Sequence, residues 1–197
     1  MPTRMIYAQG DFDGACFLYS IGNAYVALRG MMADFGLLCA AMAQVDHPGD
    51  FLNGCVGTTG AYEKRYALLE ANIRRMLATL AGPAPDAPRF EVARLAAPPR
   101  PEALARLIGP QSVVILRYQG GSQNAVGMDH WVCAVDCDVP AGRIHVACSV
   151  ALHRAIDEGR PYQETLHANG RRSNDALTKE REHTVIEGEV FQVTLLA

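Results

Sequence analysis

Apolar residues recur at helical spacing in the first half of the chain. Between residues 63 and 80 they alternate with charged residues at a period of three to four, which predicts an amphipathic helix. Residues 16–29 are apolar almost all round, as is typical of a buried central helix. Residues 31–44 predict a second helix, and the stretch 45–62, rich in Gly, Asp, Asn and Thr, predicts a loop.

The second half of the chain changes to the patterns of strands. A β-branched run at 112–118 predicts a buried strand, and segments 130–136 and 144–148 predict a hairpin that turns at 140–142. The remaining predicted elements are strands at 3–7, 90–95 and 189–196 and a short helix at 102–108. Helices come first and antiparallel strands follow, so the order predicts an α+β fold.

Length and composition favour one domain. A chain of 197 residues, 49% of them hydrophobic, can bury a core, and we expect a single domain over residues 1–197 with 151–185 as an insertion or flap. A net charge of −3 gives no electrostatic reason to expect nucleic acid. No apolar run reaches the roughly 18 residues of a membrane span, and no signal peptide is visible. We therefore expect a cytoplasmic protein, or an exported effector without a standard signal.

The chain has six cysteines, and the patterns around Cys39 and Cys133 predict buried thiols, which favours a reducing compartment. A zinc site is the alternative, with candidate ligands His130, Cys133, Cys137, His145 and Cys148. Alternation along a strand puts Cys133 and Cys137 on the face opposite His130, and the chain has no paired C-x-x-C motifs. We therefore expect neither a metal nor another cofactor.

A thiol begins the central helix. Cys16 follows a polar, glycine-containing loop, and the N-terminus of a helix favours the thiolate. The unpaired N–H groups there can also hold an oxyanion, and the amide of Gln9 can supply a second donor. Cys16 is thus a candidate nucleophile; the alternative is a cysteine that only fills a helix face.

A histidine at the start of a strand is the candidate base. His130 follows a glycine-rich loop, which predicts an imidazole at the mouth of a strand. Asp136 shares its strand parity but lies roughly 20 Å along the strand, too far to orient the ring. The hairpin turn brings residues 149–151 opposite His130, so Ser149 is the candidate orienting residue. Asp129 is the less favoured alternative, because its side chain points to the other face.

Three segments carry a resemblance to a known family. They are 9–24, which begins QGDFDGACF, 113–118 (VVILRY) and 129–136 (DHWVCAVD). Their order, Gln, then Cys on a helix, then His on a strand, resembles that of papain-like cysteine peptidases. The details look most like the compact bacterial branch, the peptidases that process bacteriocins with double-glycine leaders. The similarity covers the two ends of roughly residues 5–150.

The resemblance implies a papain-like fold, with the nucleophile on a central helix packed against an antiparallel sheet that carries the histidine. It implies Cys16 as nucleophile, His130 as base and then acid, and Gln9 in the oxyanion hole. The chain departs in two respects: the gap between Gln9 and Cys16 is one residue longer, and Ser149 stands near the place of the usual Asp or Asn.

The function implied is hydrolysis of a peptide or isopeptide bond through a thioester, with a peptide or protein as substrate. The same chemistry serves glutamine deamidases, cell-wall amidases and acyltransferases. A binding module on an inactive peptidase scaffold is a further alternative, supported by the missing acidic orienting residue.

Overall fold

A computed structural model describes residues 15–51, 68–96, 101–120, 128–148, 164–174 and 180–197. The helices are α1 (Cys16–Arg29), α2 (Phe35–Ala43), α3 (Pro48–Phe51), α4 (Leu69–Ala81) and α5 (Pro101–Leu107). The strands are β1 (Arg89–Arg94), β2 (Ser112–Gly120), β3 (Met128–Asp138), β4 (Arg143–Ala147), β5 (Glu164–His167), β6 (Arg171–Asn174) and β7 (Arg181–Leu196).

The helices end and begin where local chemistry requires it. Helix α1 ends at Gly30, which adopts a left-handed conformation and donates its N–H to the carbonyl of Val26 at 2.8 Å. Helix α2 starts at Phe35 because the Asp34 carboxylate caps it, accepting from the N–H of Gly36 at 2.8 Å. Helix α4 buries one face and exposes charged residues, which confirms the predicted amphipathic helix over its described part.

All seven strands belong to one antiparallel sheet in the order β1-β7-β2-β3-β4-β5-β6. Strand β6 also pairs with the beginning of β7, so strands β2 to β7 form a closed ring of six. This last pairing is short, joining Arg171 to Glu182 and Arg172 to Arg181. The first residues of β7 pair with β6, and its last six residues pair with β1. Between these two parts, β7 has a bulge opposite Leu116 and Tyr118 of β2.

The ring has two faces with separate cores. On the outer face, α1, α2 and α4 pack against side chains that include Val113, Trp131 and Phe191. The ring interior is filled by alternate residues of the same strands, such as Val114, Val132 and Val146, and by Leu104 of α5. Because successive side chains of a strand point to opposite faces, strands β2, β3, β4 and β7 each contribute to both cores.

The α+β class with an antiparallel sheet is confirmed. The sequence missed β5 and β6, which fall in the segment 151–185, and it placed the start of β7 at residue 189 instead of 181. The predicted strand at 3–7 lies outside the described residues. Among the residues that the structure describes, no helix is long and apolar enough to cross a membrane.

Candidate functional site

Cys16 occupies the position that the sequence predicts for it, the first residue of α1. Its side chain belongs to the outer core and is 8% exposed. The next residue, Phe17, packs edge-on against Trp131 of β3, with ring centroids 4.8 Å apart. The start of α1 therefore lies against the outer face of β3.

His130 lies on β3 but belongs to the other face. It is 5% exposed and pairs across the strands with Tyr118, whose side chain belongs to the core of the ring interior. Alternation along β3 gives the outer face to Trp131 and Cys133 and the ring interior to His130 and Val132. The predicted meeting of Cys16 and His130 is therefore not what the structure shows, because the wall of the sheet separates their faces.

The thiol that His130 contacts is Cys148, directly after β4. The distance between His130 Nε2 and Cys148 Sγ is 3.1 Å, and Cys148 is 5% exposed. Ala147 pairs with Cys133, so the next residue falls on the inward-facing side of the wall. From the sequence, Cys148 was a candidate only as a zinc ligand. The hairpin turn had nevertheless placed the adjacent residues 149–151 opposite His130.

The two other predicted site residues, Gln9 and Ser149, lie outside the described residues. Asp136, which the spacing argument set aside, uses its carboxylate to accept the N–H of Cys137 at 2.8 Å. Within the described ranges, no three His, Cys, Asp or Glu side chains are placed to hold a metal ion.

Burial sets the charge state of the imidazole. Burial, together with the positive charge of Arg172, lowers the pKa of His130 from 6.5 to about 4, and burial is the larger of the two causes. At neutral pH the ring is therefore uncharged, with one nitrogen as donor and the other as acceptor. In the tautomer that leaves Nε2 unprotonated, this nitrogen accepts a hydrogen bond from the Cys148 thiol.

Three further polar side chains complete what we call the ring-end cluster, formed by Tyr118, His130, Cys148, Arg172 and His183. The Arg172 guanidinium lies 5.3 Å from the centroid of the Tyr118 ring and donates to the Tyr118 hydroxyl at 3.3 Å. The imidazoles of His130 and His183 both meet the Tyr118 ring edge-on, with centroids 5.9 and 6.0 Å away.

A glycine makes room for the guanidinium in this cluster. A Cβ atom on Gly120 would lie 3.2 Å from two nitrogens of Arg172, so a larger residue there would crowd it. The burial of His183 and the charge of Arg172 also lower the pKa of that histidine to about 4. Arg172 and His183 could not be found from sequence, because neither lies in a segment with apolar alternation.

Comparisons with known proteins add no candidate. Neither a scan against known protein families nor a search of curated proteins gives a match.

Proposed function

We propose that this protein is a cysteine-dependent hydrolase that cleaves a peptide or isopeptide bond through a thioester, with His130 as general base and acid. We assign Cys148 as the thiol that His130 activates. The observation that carries the proposal is the 3.1 Å contact between His130 Nε2 and Cys148 Sγ. A nucleophile and a base within hydrogen-bond distance are the minimum that this chemistry requires.

The uncharged state of His130 suits the first step. An imidazole with a pKa of about 4 is unprotonated at neutral pH and can accept the thiol proton. The thiolate attacks the carbonyl carbon, the C–N bond breaks, and the imidazolium returns the proton to the leaving amine. Water activated by His130 then hydrolyses the thioester and frees the thiol.

The resemblance to papain-like peptidases favours the same reaction with a different thiol. Cys16 begins a helix of 14 residues, where backbone N–H groups are unpaired within the helix and favour a negative charge. In that arrangement the imidazole of His130 has to face α1. The two assignments share the reaction class and differ in the cysteine, so substitution of each thiol separates them.

The test measures alkylation of each cysteine by iodoacetamide, followed by mass spectrometry of the peptides. We expect Cys148 to react at least tenfold more slowly in His130→Gln than in the wild type, because general-base assistance contributes about 10²–10⁴-fold. Cys39 serves as the internal reference in both proteins, because it is exposed and not buried as its helix pattern predicts. An unchanged rate at Cys148 would contradict its activation by His130.

Hydrolysis of fluorescein-labelled casein then tests the assignment of the thiol. We expect Cys148→Ala to abolish cleavage and Cys16→Ala to retain it. The reverse result would keep the hydrolase and move the nucleophile to Cys16, as the papain-like arrangement requires. Cleavage that survives both substitutions would refute a cysteine-dependent hydrolase. The masses of the products distinguish hydrolysis from deamidation or acyl transfer.

A further inference from the structure

Arg172 reaches the proposed catalytic pair from the strand that closes the ring. It lies on β6, and its side chain is buried in the ring-end cluster with 8% of its surface exposed. Its two observed contacts with Tyr118 are of different kinds: the guanidinium lies over the ring, and one of its nitrogens donates to the hydroxyl. Together these contacts hold the Tyr118 side chain in place, one at the face of its ring and the other at its hydroxyl.

Tyr118 in turn touches the imidazole that holds the thiol. It is the cross-strand partner of His130, and the planes of the two rings meet at 81°. On its other side, His130 contacts Cys148 at 3.1 Å. The imidazole is thus held between an aromatic ring and the thiol, and no carboxylate is needed to explain its orientation.

On the premise of the proposed function, we infer that Arg172 is a positioning residue for His130, acting through Tyr118 and through its positive charge. In many Cys/His hydrolases an acidic or amide residue orients the imidazole, whereas Arg172 carries a positive charge and contacts Tyr118. An acidic orienting residue stabilises the imidazolium. A guanidinium nearby favours the neutral imidazole, so the resting pair is an uncharged thiol and imidazole.

Among the side chains that the structure describes, the charged and titratable groups around His130 come from four parts of the ring. They are Tyr118 on β2, Cys148 after β4, Arg172 on β6 and His183 on β7. Arg172 lowers the pKa of both His130 and His183. Removal of its charge should therefore move both histidine titrations toward higher pH.

The experiment follows the His130 imidazole by NMR during a pH titration in the whole protein. We expect the His130 midpoint to rise by roughly half a pH unit or more in Arg172→Gln, since one nearby charge is removed. Arg172→Lys retains the charge and should show less than half of that rise. Arg171→Gln is the matched control, because the neighbouring Arg171 is half-buried and pairs with Glu180 and Glu182.

The geometric part of the inference is tested by the rate of Cys148 alkylation. Arg172→Lys loses the guanidinium that lies over the Tyr118 ring, and Tyr118→Phe loses the hydroxyl but keeps the ring. We expect each variant to slow alkylation about three- to tenfold. If Arg172→Gln fails to fold, these two conservative variants still decide the question. If the Arg172 variants show the same His130 midpoint and the same Cys148 alkylation rate as Arg171→Gln, the positioning role is overturned.

The two proposals fail in different ways. If the Cys148 rate does not depend on His130 in the wild type, the hydrolase assignment fails while the NMR titration still reports on Arg172. If the rate depends on His130 but not on Arg172 or Tyr118, the positioning role fails and the catalytic pair stands.

Discussion

The outer face of the ring and its interior are built from the same strands but hold their cysteines in different chemistry. On the outer face, Cys16 and Cys133 lie in an apolar core with Phe17 and Trp131. At one end of the interior, Cys148 touches an imidazole. The comparison shows that the parity of one strand decides which thiol meets the histidine, because a shift of β3 by one residue would exchange its two faces.

We expect the outer face to contribute more to the stability of the fold than the ring interior does. Trp131, the largest residue of the outer face, offers the strongest test of this difference. We expect Trp131→Ala to lower the free energy of unfolding by about 3–5 kcal/mol, because the side chain is fully buried between Phe17 and Phe191. Urea unfolding measures the loss. Tyr118→Phe is the comparison on the inner face and should cost less than half as much. An equal cost for the two would break the distinction between the faces.

The inner face should be the one that is sensitive to acid. The pKa of His130 is about 4 in the folded protein and 6.5 in the unfolded chain, so the unfolded chain takes up the proton first as the pH falls. Stability from this group is fully present above pH 6.5 and is lost as the pH falls toward 4. Between pH 7 and pH 5 we expect His130 alone to account for a loss of about 2 kcal/mol.

Urea unfolding of His130→Gln at the same two pH values isolates that contribution. The variant should lose less stability on acidification than the wild type, whereas Cys16→Ala should follow the wild type. The half-buried His183 adds a loss of the same sign that remains in both variants. Identical pH dependence in His130→Gln and the wild type would show that the imidazole is not held in its neutral form.

The smallest expected effect tests whether the two faces are independent. Ile115 belongs to the outer core, and Ile115→Val should lower the free energy of unfolding by only about 0.5–1.5 kcal/mol. Because the side chain points away from the ring interior, the NMR titration of His130 should stay at its wild-type midpoint. A displaced midpoint would mean that a change of packing on the outer face alters the surroundings of His130 on the other face of the sheet.

Local pattern was enough to predict much of the fold. The start of α1 at Cys16, the amphipathic α4 and the hairpin of β3 and β4 follow from spacing and turn residues within single segments. Strands β5 and β6 are four residues long and mostly polar, and among their described side chains only Leu166 and Arg172 are buried. Such segments lack the alternation that marks a strand.

The composition of the ring-end cluster could be predicted only in part. His130 was identified as a candidate base, and alternation correctly separated it from Cys133. The sequence does not say which face of a strand a distant helix will cover, so it could not show that Cys16 and His130 lie on opposite faces of β3. Arg172 and His183 reach the cluster through the pairing of β6 with β7, a non-local contact that no spacing along the chain encodes.

Closure of the ring also bears on self-association. Six of the seven described strands have partners on both sides, whereas β1 is paired with β7 alone among the described strands. Leu95 donates its N–H to Val190 of β7, so the alternate carbonyl of Val92 points to the open side, and the guanidinium of Arg74 donates to it. The same strand, β1, also carries the exposed charged residues Arg89, Glu91 and Arg94. The open side is thus poorly suited to pair with another chain, and the protein is protected at this edge from edge-to-edge aggregation.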